Sequence, residues 1–390
     1  DSAVSGRAVV FDEDTGGAFE TVLEGAAFKS AVTQYLQNDD AVPFDDFTEL
    51  LENRDDEIAV DATLEAVGTP EWRPSDVFEG RATHAGAELA VYGPLKSDDL
   101  GNGLERGRFP ADAVAVFNRE TTTFGILRPP SLEYARSVVA LDGTPTLGMW
   151  RARLGENLNH DQVLTDEERR EYITTGLNHR VIPTTPHVKP YSSERNVTVE
   201  KDEALLREVN RANDRDPALI TTKTAREKYG EEDVLDHTDG VKHHGNMKGS
   251  NDCEDKRLGG IIGRRHFGDG YVKKWGAYLG DAVESPDRSD EENRGTGLSY
   301  GETGDEILTH MREHETVQAL MRFGRDGNGA VIYVHTNTLP SWYPTETETP
   351  DDDAVVRPRS EAERDVIREL RRRGEGRTAE LSEAVDDVTE

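Results

Sequence analysis

Residues 7–17 read RAVVFDEDTGG: an apolar run from Ala8 to Phe11, then Asp12, Glu13 and Asp14, then a threonine and two glycines. Such a run suits a strand buried on both faces, because β-branched and aromatic side chains fill both sides of a parallel sheet. Acids directly after it would stand at the strand's carboxyl end, the edge at which open α/β sheets take ligands. A surface turn in an acidic chain would carry the same residues, so the stretch needs support from elsewhere.

Support comes from Ser137 to Leu141, a second apolar run that continues into LDGTPT at 141–146. Asp142 and Thr144 again place small polar groups just past a buried strand. If the two runs are parallel neighbours, Asp12, Glu13 and Asp142 share one sheet edge. Ala113 to Phe117 is a further strand candidate. Residues 15–67 show apolar positions at helical spacing, including Phe19, Val22, Leu23, Phe44, Phe47, Leu50 and Leu51. Residues 68–112 are rich in Gly, Pro and Asp and read as loops with short elements. The stretch YGPLKSDDLGNGLERG at 92–107 has glycines and a lysine but lacks the spacing of a phosphate loop.

From about residue 187 the pattern restarts. Val197 to Val199 is strand-like, 201–212 is helical with Leu205, Leu206 and Val209 inward, and Ala218 to Thr222 is a strand. Leu258 to Ile262 and Ala330 to Val334 are further strands, and 304–325 reads as a helix. Alternating strands and helices predict a second parallel α/β domain, with the boundary near residue 185.

The 390 residues carry a formal net charge of -32 at pH 7 and a single cysteine, Cys253. One cysteine excludes an internal disulfide, and no Cys/His spacing supports a structural zinc. No apolar run approaches the roughly 18 residues that cross a bilayer, so no membrane partner is expected. An acidic, lysine-poor but clearly patterned chain is what a salt-in halophile's cytoplasm favours, since molar salt screens the self-repulsion to a Debye length of about 3 Å. The charge then describes the solvent more than the partner, and a haloarchaeal, cytoplasmic protein is expected.

The segment QALMRFGR at 318–325 sets Gln318, Arg322 and Arg325 at spacings of four and three, which on a helix would project from one face. Arginine forks bind phosphate oxygens and neutralise charge that builds up in phosphoryl transfer. A solvated arginine face would look similar, although Ala319, Leu320, Met321 and Phe323 argue for partial burial.

Together these segments resemble superfamily 2 helicases and translocases. VVFDED resembles the DEAD/DEAH form of the Walker B motif, LDGTPT the SAT-like motif III, and QALMRFGR the QxxGRxGR motif VI. ITTK at 220–223 and GNMKGSND at 245–252 fall where motifs IV and V belong. The resemblance implies an α/β architecture of two RecA-like domains with ATP and Mg²⁺ between them. Asp12 would hold the metal, Glu13 would activate water, and Gln318, Arg322 and Arg325 would sense the γ-phosphate. Asp142 and Thr144 would couple hydrolysis to movement. Thr221, Thr222, Lys223, Gly249, Ser250 and Asn251 would track DNA. Asp14, Gly143 and Met321 depart from the usual pattern.

The expected organisation is a first RecA-like domain over 1–185, lacking the Walker A loop and carrying a helical insertion at about 15–112. A second RecA-like domain follows over 186–342, then an acidic linker at 343–360. Residues 361–390 read as helix, glycine turn and helix, the start of a winged helix-turn-helix. Two other functions fit parts of the pattern. One is a helix-turn-helix regulator without catalysis, and the other a metal-dependent nuclease or primase using Asp12, Glu13 and Asp14 with His243 or His244.

Overall fold

The computed structural model describes residues 4–13, 15, 17–37, 42–67, 87–109, 112–247, 251–289 and 293–354, with Leu370 beyond them. The chain divides into two compact units, Asp1–Val163 with Phe267–His314, and Leu164–His266 with Glu315–Glu390. The boundary expected near residue 185 therefore falls inside the second unit. Residues 267–314, set between two strands of that unit in sequence, belong instead to the first.

The first unit holds two sheets. β1 (Ala8–Asp12) and β7 (Ser137–Leu141) pair in parallel, with Asp12 opposite Leu141. They are not buried on both faces as expected: Val10, Val139 and Leu141 are 57, 43 and 51% exposed, while Val9, Phe11, Val138 and Ala140 on the other face are half-buried. Phe11 meets Phe19 edge to face, 6.0 Å between centroids.

The insertion between these strands is not only helical. β2 (Glu20–Glu24), β3 (Asp98–Asp99), β4 (Leu104–Arg108), β5 (Val114–Asn118) and β6 (Thr123–Leu127) form an antiparallel sheet in the order β2-β6-β5-β4-β3. Period-two alternation explains it. Ala115, Phe117, Phe124 and Ile126 join one core with Val32, Leu36, Phe47 and Leu50 of the preceding helices. Val116, Leu104 and Leu127 join another with Val272, Trp275, Tyr278, Ile307 and Met311 of the 267–314 segment. Both faces are thus covered, and helical spacing around Phe19, Val22 and Leu23 is satisfied by an edge strand instead. The helix Phe47–Glu52 does form, its start fixed by Asp46, whose carboxylate accepts from the Thr48 and Glu49 amides.

The second unit is a five-stranded parallel sheet in the order β10-β9-β11-β12-β8, from β8 (His179–Pro183), β9 (Ala218–Thr221), β10 (Val241–His243), β11 (Leu258–Ile262) and β12 (Ala330–His335). On one face Val181, Ile220, Ile261 and Ile332 pack with Val317, Leu320 and Phe323. On the other, Leu219, Leu258 and Ile262 pack with Leu205, Leu206 and Val209 of helix Val199–Asn213 and Tyr229 of helix Lys223–Glu231. This is a doubly covered parallel sheet.

Two local expectations fail for local reasons. The strand at Val197 to Val199 is too short to pair and instead leads into the helix that starts at Val199, where Glu200 and Asp202 in the first turn favour an amino terminus. The helix at 304–325 is broken in three: Gly301–Thr309, a π-turn at His310–His314, and Glu315–Leu320. It stops because Phe323 is fully buried over Gly259, where a Cβ would lie 2.8 Å from the ring, and because Gly324 turns at φ +54. The proposed helix-turn-helix at 361–390 lies, apart from Leu370, outside the described residues, as do Gly249 and Ser250. Among the described residues no helix is long and apolar enough to cross a membrane.

Candidate functional site

Two groups of strand ends carry the polar chemistry. In the first unit, the register of β1 on β7 brings Asp12, Glu13 and Asp142 to the same edge, as expected if the two runs are parallel neighbours. Glu13 donates its amide to Leu141 O at 2.8 Å and sits at φ +62, a left-handed conformation uncommon outside glycine and frequent at functional sites. Asp142 is held from two sides: its carboxylate accepts from the Thr144 amide and from Trp150 Nε1, both at 2.9 Å. It therefore shapes the 142–146 loop from within. Thr144 and Thr146 are buried, and the Thr146 hydroxyl lies 3.0 Å from His310 Nδ1 and 3.2 Å from His314 Nδ1.

In the second unit the carboxyl ends of β9 and β11 form a switch point: the chain leaves β9 toward β10 on one side and leaves β11 toward β12 on the other. Ligands favour such a crevice. Thr221 and Thr222, expected to touch nucleic acid, are buried and spend their hydroxyls on the scaffold. Thr221 Oγ1 donates to Ile262 O at 2.7 Å. Thr222 Oγ1 donates to Tyr191 O at 2.9 Å and accepts from Ala225 N–H at 3.1 Å, capping the next helix.

Lys223, one residue on, is exposed, and with Arg226, Glu227, Gly230, Leu235 and His243 it lines a cavity of about 430 Å³. Burial pushes the His243 imidazole below its usual pKa, and Arg226, Arg265 and Lys223 push it further down. The lining sets two cations, Lys223 and Arg226, against one carboxylate, Glu227, which lies 3.7 Å from Lys223 Nζ. Arg226 and Arg265 were not singled out from sequence; Lys223 and Arg226 share a helix face at spacing three, which was the available signal.

Gly263 closes this corner. It sits at φ +69, and a Cβ there would approach the Tyr191 ring to 2.5 Å, so only glycine fits. His244 lies beside it, 6% exposed, with Nε2 3.3 Å from Gly263 O, and burial lowers its pKa to about 4. It is a neutral structural histidine at physiological pH.

The three residues of 318–325 do not project from one helix face. Gln318 is on Glu315–Leu320, Arg322 follows the helix end and is 6% exposed, and Arg325 is exposed in the glycine turn with Nη1 3.5 Å from Asn251 Oδ1. That contact joins two sequence-predicted residues, Arg325 and Asn251, from the segments likened to motifs VI and V.

For metal, the one set of three His, Cys, Asp or Glu ligand atoms within 4.8 Å among the described residues is His187, Asp352 and Asp353. Asp353 already pairs with Lys189 and Lys201, so the set lacks the negative charge that a divalent ion needs. Asp12 and Glu13 are in no such set, and Asp14 lies outside the described residues. No family model and no curated protein matches the chain.

Proposed function

We propose that the chain is the body of an ATP-hydrolysing DNA motor, a helicase or translocase with RecA-like domains, working in the cytoplasm of a halophile. The observation that carries this reading is the parallel register of β1 on β7, which sets Asp12 and Glu13 beside the loop of Asp142. Two adjacent carboxylates at a rigid strand end suit metal-assisted water attack. Bound Mg²⁺-ATP would supply the phosphoryl group and the divalent charge. Asp12 would hold the ion, and Glu13 would orient water and take its proton.

Asp142, locked by Trp150 and the Thr144 amide, would carry any shift of the strand end into the helix Leu147–Leu154. Gln318, Arg322 and Arg325 would bind phosphate oxygens, as their likeness to motif VI implies. Lys223, Arg226 and Arg265 supply the charge that nucleic-acid backbones need; Thr221, Thr222 and Asn251 shape the surrounding loops.

The test is Glu13→Gln in the full-length protein. ATP turnover should fall by about a hundredfold or more while nucleotide binding persists, because the proton acceptor is lost and the metal ligand is kept. Turnover at the unmodified rate would reject the assignment.

A further inference from the structure

Arg325 stands in the turn 324–329, which leads from the end of helix Glu315–Leu320 into β12. The turn closes on itself: a Cβ on Gly324 would lie 2.9 Å from Gly329 O, and one on Gly329 would lie 2.7 Å from Asn178 O. Two side chains from neighbouring strands brace it.

His179 opens β8 and pairs in register with Ala330, the residue after the turn. Its Nε2 lies 2.9 Å from Phe323 O, the residue before the turn, so one residue grips both ends. A carbonyl only accepts, which places the ring proton on Nε2. Nδ1 is then a bare acceptor, enclosed without a hydrogen-bond partner in a residue 5% exposed. Burial holds the imidazole below its usual pKa, so the ring is neutral at pH 7. An unmatched buried acceptor is costly, and an apolar side chain would avoid that cost. What histidine adds is the one N–H toward Phe323 O.

Arg257, just before β11, holds the middle of the turn. Its Nη2 pairs with the Asp326 carboxylate, and its Nη1 donates to Gly329 O at 3.4 Å. Asp326 in turn accepts from the Asn328 amide at 3.2 Å and from Asn328 Nδ2 at 2.8 Å. The acid next to Arg325 in sequence is therefore committed to another arginine.

The Arg325 side chain itself is held by little. Among the described residues its guanidinium has one polar contact, Nη1 3.5 Å from Asn251 Oδ1, at the outer limit of a hydrogen bond. The backbone around it is fixed while the fork is left open. That division suits a group that must meet its ligand in one orientation, because a fork binds phosphate oxygens only when aimed, and aiming it beforehand lowers the ordering cost.

We propose that His179 and Arg257 are positioning residues for Arg325, fixing the turn so that the guanidinium meets phosphate oxygens already aimed. The inference rests on the motor reading and adds two residues outside the segments likened to helicase motifs.

The test is ATP hydrolysis by the full-length protein at one fixed molar KCl concentration, with Arg or Ala at position 325. His179→Leu and Arg257→Gln should each lower kcat by about tenfold or more, the scale of a misaimed catalytic group, while the KM for ATP moves by less than about threefold. His179→Gln, which can present an N–H where Nε2 stood, should recover most of the rate. In the Arg325→Ala background, read by single-turnover hydrolysis, neither substitution should lower the rate further. Arg257→Gln breaks a pair whose side chains are 27 and 33% exposed, so it decides the matter should His179→Leu fail to fold.

A wild-type protein without ATP turnover rejects the motor reading, and this inference with it. With an active protein, the inference alone is overturned if either folded variant keeps the wild-type rate. It is also overturned if the variants lose the same factor with Ala at 325, the mark of a general structural defect.

Discussion

The molecule contains two parallel ladders built from similar apolar runs, and they are treated differently by their surroundings. In the second unit β9 and β11 are buried at every residue, with helices on both faces. In the first, β1 and β7 alternate exposed and half-buried residues, and Val10, Val139 and Leu141 lie open. The same residue types thus contribute core packing in one place and surface in the other. What differs is the covering layer, which the runs themselves do not encode. The two ladders also divide the chemistry: carboxylates, Asp12 exposed and Glu13 and Asp142 half-buried, end the open one, and Lys223 and Arg226 stand with Glu227 at the end of the closed one.

The comparison breaks most visibly in the core. Ile261→Ala empties a fully buried site in β11 and should cost about 2–5 kcal/mol, the range for large-to-small core changes. Val139→Ala, at a site 43% exposed, should cost less than about 1 kcal/mol. Denaturant titrations at fixed high salt, followed by probes in each unit, measure both. Equal losses would show that β1 and β7 are as fully packed as the larger sheet.

A second contrast is electrostatic and lies inside the closed sheet's edge. Asp202 is fully buried, accepts from Tyr191 and Tyr229 hydroxyls at 2.9 and 2.8 Å, and lies 3.8 Å from His335 Nε2. Lys189 acts on both Asp202 and His335, and Lys201 and Asp353 act on His335. Burial raises Asp202 from 3.8 to about 6, so between about pH 4 and 6 the folded chain keeps a proton that the unfolded chain has lost. That contribution makes stability fall as pH rises. Burial lowers His335 from 6.5 to about 4, so over about pH 4 to 6.5 the folded chain lacks a proton that the unfolded chain holds. That contribution makes stability rise with pH.

The two oppose each other and the pair should leave little net slope. Asp202→Asn removes one side, and stability should then climb from pH 4 to 6.5 at up to about 1.4 kcal/mol per pH unit. His335→Gln should tilt the other way. Thermal or denaturant stability against pH decides it; slopes of the same sign in both variants would refute the opposition.

These features also mark what was readable in the sequence. β1, β7, β9, β11 and β12 were legible because each is a short apolar run that ends in small polar or acidic residues, a local signal. The antiparallel insert was legible only at β5, expected at Ala113 to Phe117 and found at Val114–Asn118. Its strands include ETVLE and LERGR, whose charges argue against burial, yet Glu105 is 1% exposed because Arg54, 51 positions away, lies 2.5 Å from its carboxylate and Arg119 joins it.

The acidic linker expected at 343–360 failed for the same reason: an acidic run reads as solvated until Lys189, 164 positions upstream, claims Asp353. In the candidate site, Asp12, Glu13 and Asp142 were placed correctly at one edge, as strand ends must be. The face shared by Gln318, Arg322 and Arg325 was an artefact of spacing, because Gly324, Gly327 and Gly329 adopt positive φ and the helix stops short.

The smallest effect sharpens the first comparison the most. Val10 and Val139 face each other across the parallel ladder on its exposed side, both beyond 40% exposure. If that face meets only water, replacing each by Thr changes a side chain of nearly the same shape and keeps β-propensity, so stability should move by less than about 0.5 kcal/mol. Self-association, measured by sedimentation at high salt, should fall, since molar salt strengthens contacts between open apolar patches. A buried Val to Thr change is different: it places a hydroxyl in an apolar layer and costs about 1–3 kcal/mol unless the hydroxyl finds a partner. A loss of that size in the double variant would mean that β1 and β7 are covered in the working protein, and that the two ladders differ in what covers them rather than in whether they are covered.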